Sequence, residues 1–108
     1  MVYGDGGQTR DFVYVEDVVH ANVLACESKV AAGKVLNIAA GKSTSLNQLL
    51  DTQRIVTSTT INPIYADPRP GDIRDSVADT SLAKEILRYE PEVEVEKGLR
   101  AMLSLWRD

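Results

Sequence analysis

Tyr3-Gly4-Asp5-Gly6-Gly7-Gln8-Thr9-Arg10-Asp11-Phe12-Val13-Tyr14-Val15-Glu16-Asp17-Val18-Val19 decides how the rest of the chain is read. A glycine turn runs into one arginine, then into a β-prone run from Phe12 to Val15, then into a helical pattern. An arginine at the mouth of a strand, with backbone amides beside it, suits a phosphate.

Working outward, Asp17 is expected to cap a helix with Val19, Val23, Cys26 and Val30 on one stripe. Ala31-Ala32-Gly33 would end that helix, with Gly33 as a left-handed cap. Val35 to Ile38 is the next strand candidate. Ser45-Leu46-Asn47-Gln48 reads as a capping box. It opens a helix with Leu46, Leu49, Leu50, Gln53 and Val56 on one face. Ile61 to Tyr65 is a short strand in which Pro63 favours an edge or bulge. Asp67-Pro68-Arg69-Pro70-Gly71-Asp72 is a rigid turn, and Arg69, preceding Pro70, is held extended. Asp79 is expected to cap a helix that buries Leu82, Ala83, Ile86 and Leu87 and breaks at Tyr89-Glu90-Pro91. The last helix would bury Val95, Leu99, Met102, Leu103 and Trp106. About four helices and three short strands alternate, so the fold class is α/β, a small compact domain rather than a helical bundle.

The 108 residues form a single domain, 1–108, long enough for one core. Apolar residues make up 44% and charged residues 26%, an ordinary globular balance. A net charge of −4 argues against a nucleic-acid or anionic-membrane surface. The single Cys26 excludes an internal disulfide, and its helical setting predicts a small buried side chain in a reducing compartment. No N-terminal stretch resembles a signal peptide and no apolar run approaches membrane length, so the expected location is cytoplasmic.

Arg10 and Arg69 are the two best anion ligands, Asp72 suits ribose hydroxyls, and Asn37 offers both a donor and an acceptor. The alternative is an Arg10–Asp11 or Arg69–Asp72 surface pair of little energetic weight, and composition leaves the two readings even. Other constellations fail. His20 has no partner by spacing, and no Cys/His cluster supports a metal. Asp67, Asp72, Asp75 and Asp79 lack the spacing and glycine of a calcium loop. Met102 and Trp106 at helical spacing read as core. Gly4-Asp5-Gly6-Gly7 is not a dinucleotide turn, because no strand is expected before it.

Four blocks, in order, resemble the C-terminal part of the NAD-dependent epimerase/dehydratase family, the extended short-chain dehydrogenases acting on nucleotide sugars. They are Gly4 to Val19, Leu36 to Gly41, Arg69 to Arg74 continued by Ser76 to Asp79, and Leu87 to Pro91 with Glu96 to Leu99. Asn37 to Gly41 followed by Thr44 to Leu49 is most similar to UDP-N-acetylglucosamine 4-epimerases, with UDP-glucose 4-epimerases as near neighbours. The resemblance implies an α/β fold without the NAD-binding Rossmann half. It implies that Arg10, Arg69 and Asp72 grip the diphosphate and ribose of a UDP-sugar, with Asn37 close by, and that binding is weak.

NAD is the cofactor of the full-length family, held on a Gly-x-x-Gly-x-x-Gly turn and served by a Tyr-x-x-x-Lys pair with a Ser or Thr. This chain has neither: four residues after its tyrosines stand Gly7, Val18, Arg69 and Val93. The expectation is therefore a truncated or stand-alone segment with no cofactor, no metal and no catalytic residue, inactive by itself. The alternative is a non-enzymatic module whose uncovered face self-associates into a homo-oligomer or binds an NAD-binding domain in trans. Two positions depart from the family: Arg88 stands where glycine is usual, and Glu94 where serine often caps the last helix.

Overall fold

Ser45 opens a helix as its spacing demands. Its side chain accepts from the Gln48 amide at 3.1 Å while Gln48 Oε1 accepts from the Ser45 amide at 2.8 Å, closing the capping box. In the computed structural model, which describes residues 1–106, this helix is the fifth of eight elements. In chain order they are β1 (Val2–Tyr3), β2 (Thr9–Arg10), α1 (Val15–Glu27), β3 (Thr44–Ser45), α2 (Leu46–Thr57), β4 (Tyr65–Ala66), α3 (Ser81–Leu87) and α4 (Val95–Trp106). The α/β class and the four helices are as expected. The strands number four rather than three among the described residues, and each has two residues.

The strands pair across the chain. β1 runs parallel to β4, with Val2 opposite Tyr65 and Tyr3 opposite Ala66. β2 runs antiparallel to β3, with Thr9 opposite Ser45 and Arg10 opposite Thr44. Thr9 also bridges Asp75, so this one residue ties the glycine turn to both later segments. Two-residue strands are too short to show an alternating pattern, and this explains why the expected strands at Phe12–Val15, Val35–Ile38 and Ile61–Tyr65 were misplaced. Only Tyr65 of these lies in a strand.

Helix α1 begins at Val15, and Asp17 is not its cap. Asp17 sits in the first turn, 4% exposed, and its carboxylate accepts from the amides of Glu92 at 3.0 Å and Val93 at 3.1 Å. Part-buried amides entering α4 need an acceptor, and Asp17 supplies it. The inner face of α1 is therefore Asp17, Ala21 and Leu24, while Val15, Val19, Val23 and Cys26 are exposed, reversing the expected stripe and the expected burial of Cys26. The helix stops at Glu27 rather than near Gly33. Ser28 Oγ captures the amides of Val30 and Ala31, and Gly33 takes its positive φ in the turn beyond.

Ala21, Ala83, Leu87 and Tyr89 form the central core, with Leu24, Leu36, Ile38 and Ile86 packed around it. Tyr89 is its one large, fully buried side chain, and its hydroxyl donates to the Ala39 carbonyl at 2.8 Å. Leu82 of α3 points outward instead. Asp79 acts one residue before the cap position, accepting from the Ser81 amide at 2.9 Å, and the Ser81 hydroxyl first and its amide second hold the Asp79 carboxyl below the usual range.

Helix α4 packs against α2. Its buried Gly98 faces Tyr14 instead, where an added Cβ would come 2.9 Å from the ring. Met102 and Trp106 are exposed, Trp106 at 85%, so neither is core as expected. Val35 to Ile38 makes no backbone–backbone hydrogen bond among the described residues, and Val35 is 90% exposed. The whole is a slab of 49 × 39 × 16 Å. Its radius of gyration, 16.4 Å, exceeds the roughly 13 Å of a closed domain this long.

Candidate functional site

The glycine turn between β1 and β2 is wired inward. Gly4 (φ +89°) and Gly6 (φ +75°) reverse the chain in a conformation that side chains resist. The Gly4 amide donates to Ala66 at 2.8 Å and the Gly7 amide to Asp5 Oδ1 at 2.8 Å. Asn47 fills the space where a Gly6 side chain would stand and donates from Nδ2 to the Asp5 carbonyl at 3.0 Å. Arg74 Nη1 reaches Asp5 Oδ1 at 2.8 Å; this bond first, and the Gly7 amide second, hold the Asp5 carboxyl below its ordinary range. The amides of Gly4 and Gly7 are thus spent on the protein itself, not offered to a phosphate. What the turn presents is Arg10.

A strand does precede this turn, contrary to expectation, but β2 follows it, not a helix. A dinucleotide pyrophosphate needs free amides at a helix N-terminus. The described residues of this turn do not fit NAD.

Arg10 is aimed by three oxygens. Its Nη1 donates to the Thr9 carbonyl at 2.6 Å and, at 3.5 Å, weakly to that of Arg74, while Nη2 donates to Asp72 Oδ1 at 2.9 Å. Thr9 is held in turn, its Oγ1 donating to Asp75 Oδ1 at 2.8 Å. The pairing is Arg10 with Asp72, neither of the two pairs expected. Asp11 is occupied elsewhere, accepting from the amides of Ala40, Gly41 and Ala78.

Arg69 enters the same space from the proline turn, where the Asp72 amide donates to the Arg69 carbonyl at 3.2 Å and Gly71 takes φ +78°. Its guanidinium carbon lies 4.1 Å from the centre of the Tyr3 ring. Arg10, Arg69 and Asp72, with Tyr3 and the buried Gln8, line an open cavity of about 220 Å³. Two cations and one carboxylate leave that cavity with a net positive charge.

Asn37 is not among the residues of this cavity; it is exposed and donates from Nδ2 to the Asp79 carbonyl at 3.3 Å. Tyr3 was missed by sequence reasoning. An aromatic before a glycine turn was its only signal, and nothing in the spacing couples it to Arg69.

A second cavity, about 240 Å³, lies between Phe12–Tyr14, α2 and α4 and is lined by apolar groups, with Glu94 its one charged residue. A lone carboxylate repels a phosphate, whereas the two guanidinium groups of the arginine cavity attract one. Among the described residues no cluster of three metal-ligating side chains occurs, and no helix is long and apolar enough to cross a membrane.

The fold is that of the C-terminal part of an extended short-chain dehydrogenase. Residues 1–102 match the family model described as GDP-mannose 4,6 dehydratase, and the chain belongs to that family, within the NAD-dependent epimerases and dehydratases. It is 36% identical over 104 residues to a putative UDP-glucose 4-epimerase of Methanocaldococcus jannaschii, covering 96% of this chain and 33% of the relative. It is 33% identical to the UDP-glucose 4-epimerase of Mycolicibacterium smegmatis, covering 99% and 34%. Among solved structures, the UDP-glucose 4-epimerase of Thermotoga maritima with UDP-glucose superposes at TM-score 0.90 and 42% identity over 98% of this chain and 34% of that one. The UDP-N-acetylglucosamine 4-epimerase of Methanobrevibacter ruminantium with UDP-N-acetylmuramic acid superposes at 0.89 and 37% identity, with the same coverage. The chain spans about a third of the length of the relatives it matches.

Proposed function

We propose that this chain is the nucleotide-gripping C-terminal part of a UDP-sugar 4-epimerase, a single domain over 1–108 acting in the cytoplasm and inactive alone. The observation that carries the reading is the meeting of Arg10 and Arg69 at one cavity with Asp72. Two guanidinium groups match a diphosphate in charge and in hydrogen-bond geometry. On binding, Arg10 and Arg69 hold the phosphate oxygens and Asp72 accepts from ribose hydroxyls. Asn37 is a further contact, outside the cavity. Similarity to structures described with UDP-glucose and UDP-N-acetylmuramic acid supports the nucleotide.

With one wall of the cleft present, dissociation is expected near a millimolar, about 4 kcal/mol. Calorimetric or NMR titration with UDP-N-acetylglucosamine tests this. Saturable shifts that vanish in Arg69→Ala support it; no shift at several millimolar overturns it.

A second reading rests on the uncovered surface. Val19, Val23 and Val35 are exposed, and Val35 to Ile38 lacks backbone partners among the described residues, so a second copy or an NAD-binding domain in trans gains apolar contact and hydrogen bonds there. Light scattering decides the self-association form of this reading: a strict monomer that binds no apolar-patch dye removes it.

A further inference from the structure

We propose that Tyr3 is a positioning residue whose ring holds the Arg69 guanidinium face-on, leaving its edge donors free for a phosphate. This rests on the nucleotide reading above. Arg10, Arg54, Arg74 and Arg100 each pair with a carboxylate, respectively Asp72, Asp51, Asp5 and Glu96. Arg69 has no hydrogen-bonded or ionic side-chain partner among the described residues; what it has is the Tyr3 ring, 4.1 Å from its guanidinium carbon.

The difference matters chemically. A carboxylate partner would fix Arg69 but consume its N–H groups and cancel its charge. An aromatic face attracts the cation through the ring quadrupole while every N–H, lying in the guanidinium plane, stays available. Two cations sharing one cavity also repel each other, and without a support Arg69 would swing toward water. Prolines 68 and 70 restrict the backbone of Arg69, but not its four side-chain torsions. The ring supplies the remaining restraint.

Tyr3 is itself a fixed platform. It lies in β1, paired with Ala66 of β4, and its carbonyl accepts from Nε2 of the buried Gln8 at 2.7 Å. Its hydroxyl makes no hydrogen bond among the described residues, so the face of the ring, not the phenol, is the working part. Gln8 therefore joins the platform to the strand that carries Arg10, and the two guanidinium groups are aimed from one short piece of backbone.

The test uses the full chain, arginine side-chain NMR and UDP as the probe. In the free protein the Arg69 Nε–H signal is expected upfield of its random-coil position, retained in Tyr3→Phe and lost in Tyr3→Leu. UDP affinity is expected unchanged in Tyr3→Phe and weakened about two- to fivefold in Tyr3→Leu. An Arg69 signal at the random-coil position in the unmodified chain overturns the proposal without any variant. So does Tyr3→Phe binding as weakly as Tyr3→Leu. Full affinity in Tyr3→Leu, with binding still sensitive to Arg69→Ala, overturns the positioning role and leaves the nucleotide reading standing. No UDP response in the unmodified chain overturns both.

Discussion

Arg10 Nη2 meets Asp72 Oδ1 at 2.9 Å, joining two residues 62 positions apart. The side chains are 31% and 38% exposed, so water screens the pair and its worth to folding is about 0–1 kcal/mol. Its consequence lies in placement: Asp72 keeps Arg10 pointed into the cavity that both residues line.

Arg10→Ala is accordingly expected to change stability by no more than about 1 kcal/mol. UDP affinity should fall far more, by about 1.5–3 kcal/mol for a charge-assisted bond to phosphate. Denaturant unfolding and UDP titration on the same sample check both numbers. A large stability loss with unchanged binding would make Arg10 a structural residue instead.

Arg88 ends α3 in the left-handed region at φ 55°, the conformation in which a Cβ is crowded. Glycine is usual at this position in the family that the sequence resembles. Arg88→Gly is expected to stabilise the chain by about 1 kcal/mol, raising the denaturant midpoint at constant slope, since Arg88 makes no ion pair among the described residues. A midpoint that falls would show that the arginine contributes a contact outweighing its backbone strain.

Tyr89 gives the fold an alkaline limit. Burial, and then the carboxylates of Asp17 and Asp11, push its phenol above the ordinary 10.0. A group whose pKa is raised by folding stabilises fully below its unfolded value and loses that contribution as pH climbs through the folded one. Stability should therefore decline above about pH 10. Tyr89→Phe should flatten that decline while costing about 1 kcal/mol at neutral pH, because the Ala39 carbonyl loses its donor. Urea unfolding between pH 7 and 11 measures both effects, and an alkaline limb of equal steepness in the variant would assign it to other groups.

Legibility followed range. The Ser45–Gln48 capping box and the strained Arg88 involve residues a few positions apart, so spacing carried them. The proline turn likewise appeared where Asp67 to Asp72 placed it. Helix α1 was recognisable, but its inner face was not: Asp17 looked like a surface cap and proved to be a buried acceptor for the chain entering α4. A carboxylate counted as polar rotates the inferred stripe away from Ala21 and Leu24. Met102 and Trp106 misled in the opposite sense, being apolar yet exposed.

By itself the sequence determined an α/β chain with four helices and the family, and it singled out Arg10 and Arg69, which line one cavity. Only the tertiary structure decided which acid meets Arg10, that Tyr3 lies under Arg69, and that Asn37 stands apart from both. Helix formation and capping depend on interactions between near neighbours and leave a periodic trace in the chain. An ion pair or a stacked ring between distant segments leaves none, because strand pairing and turn geometry set its distance.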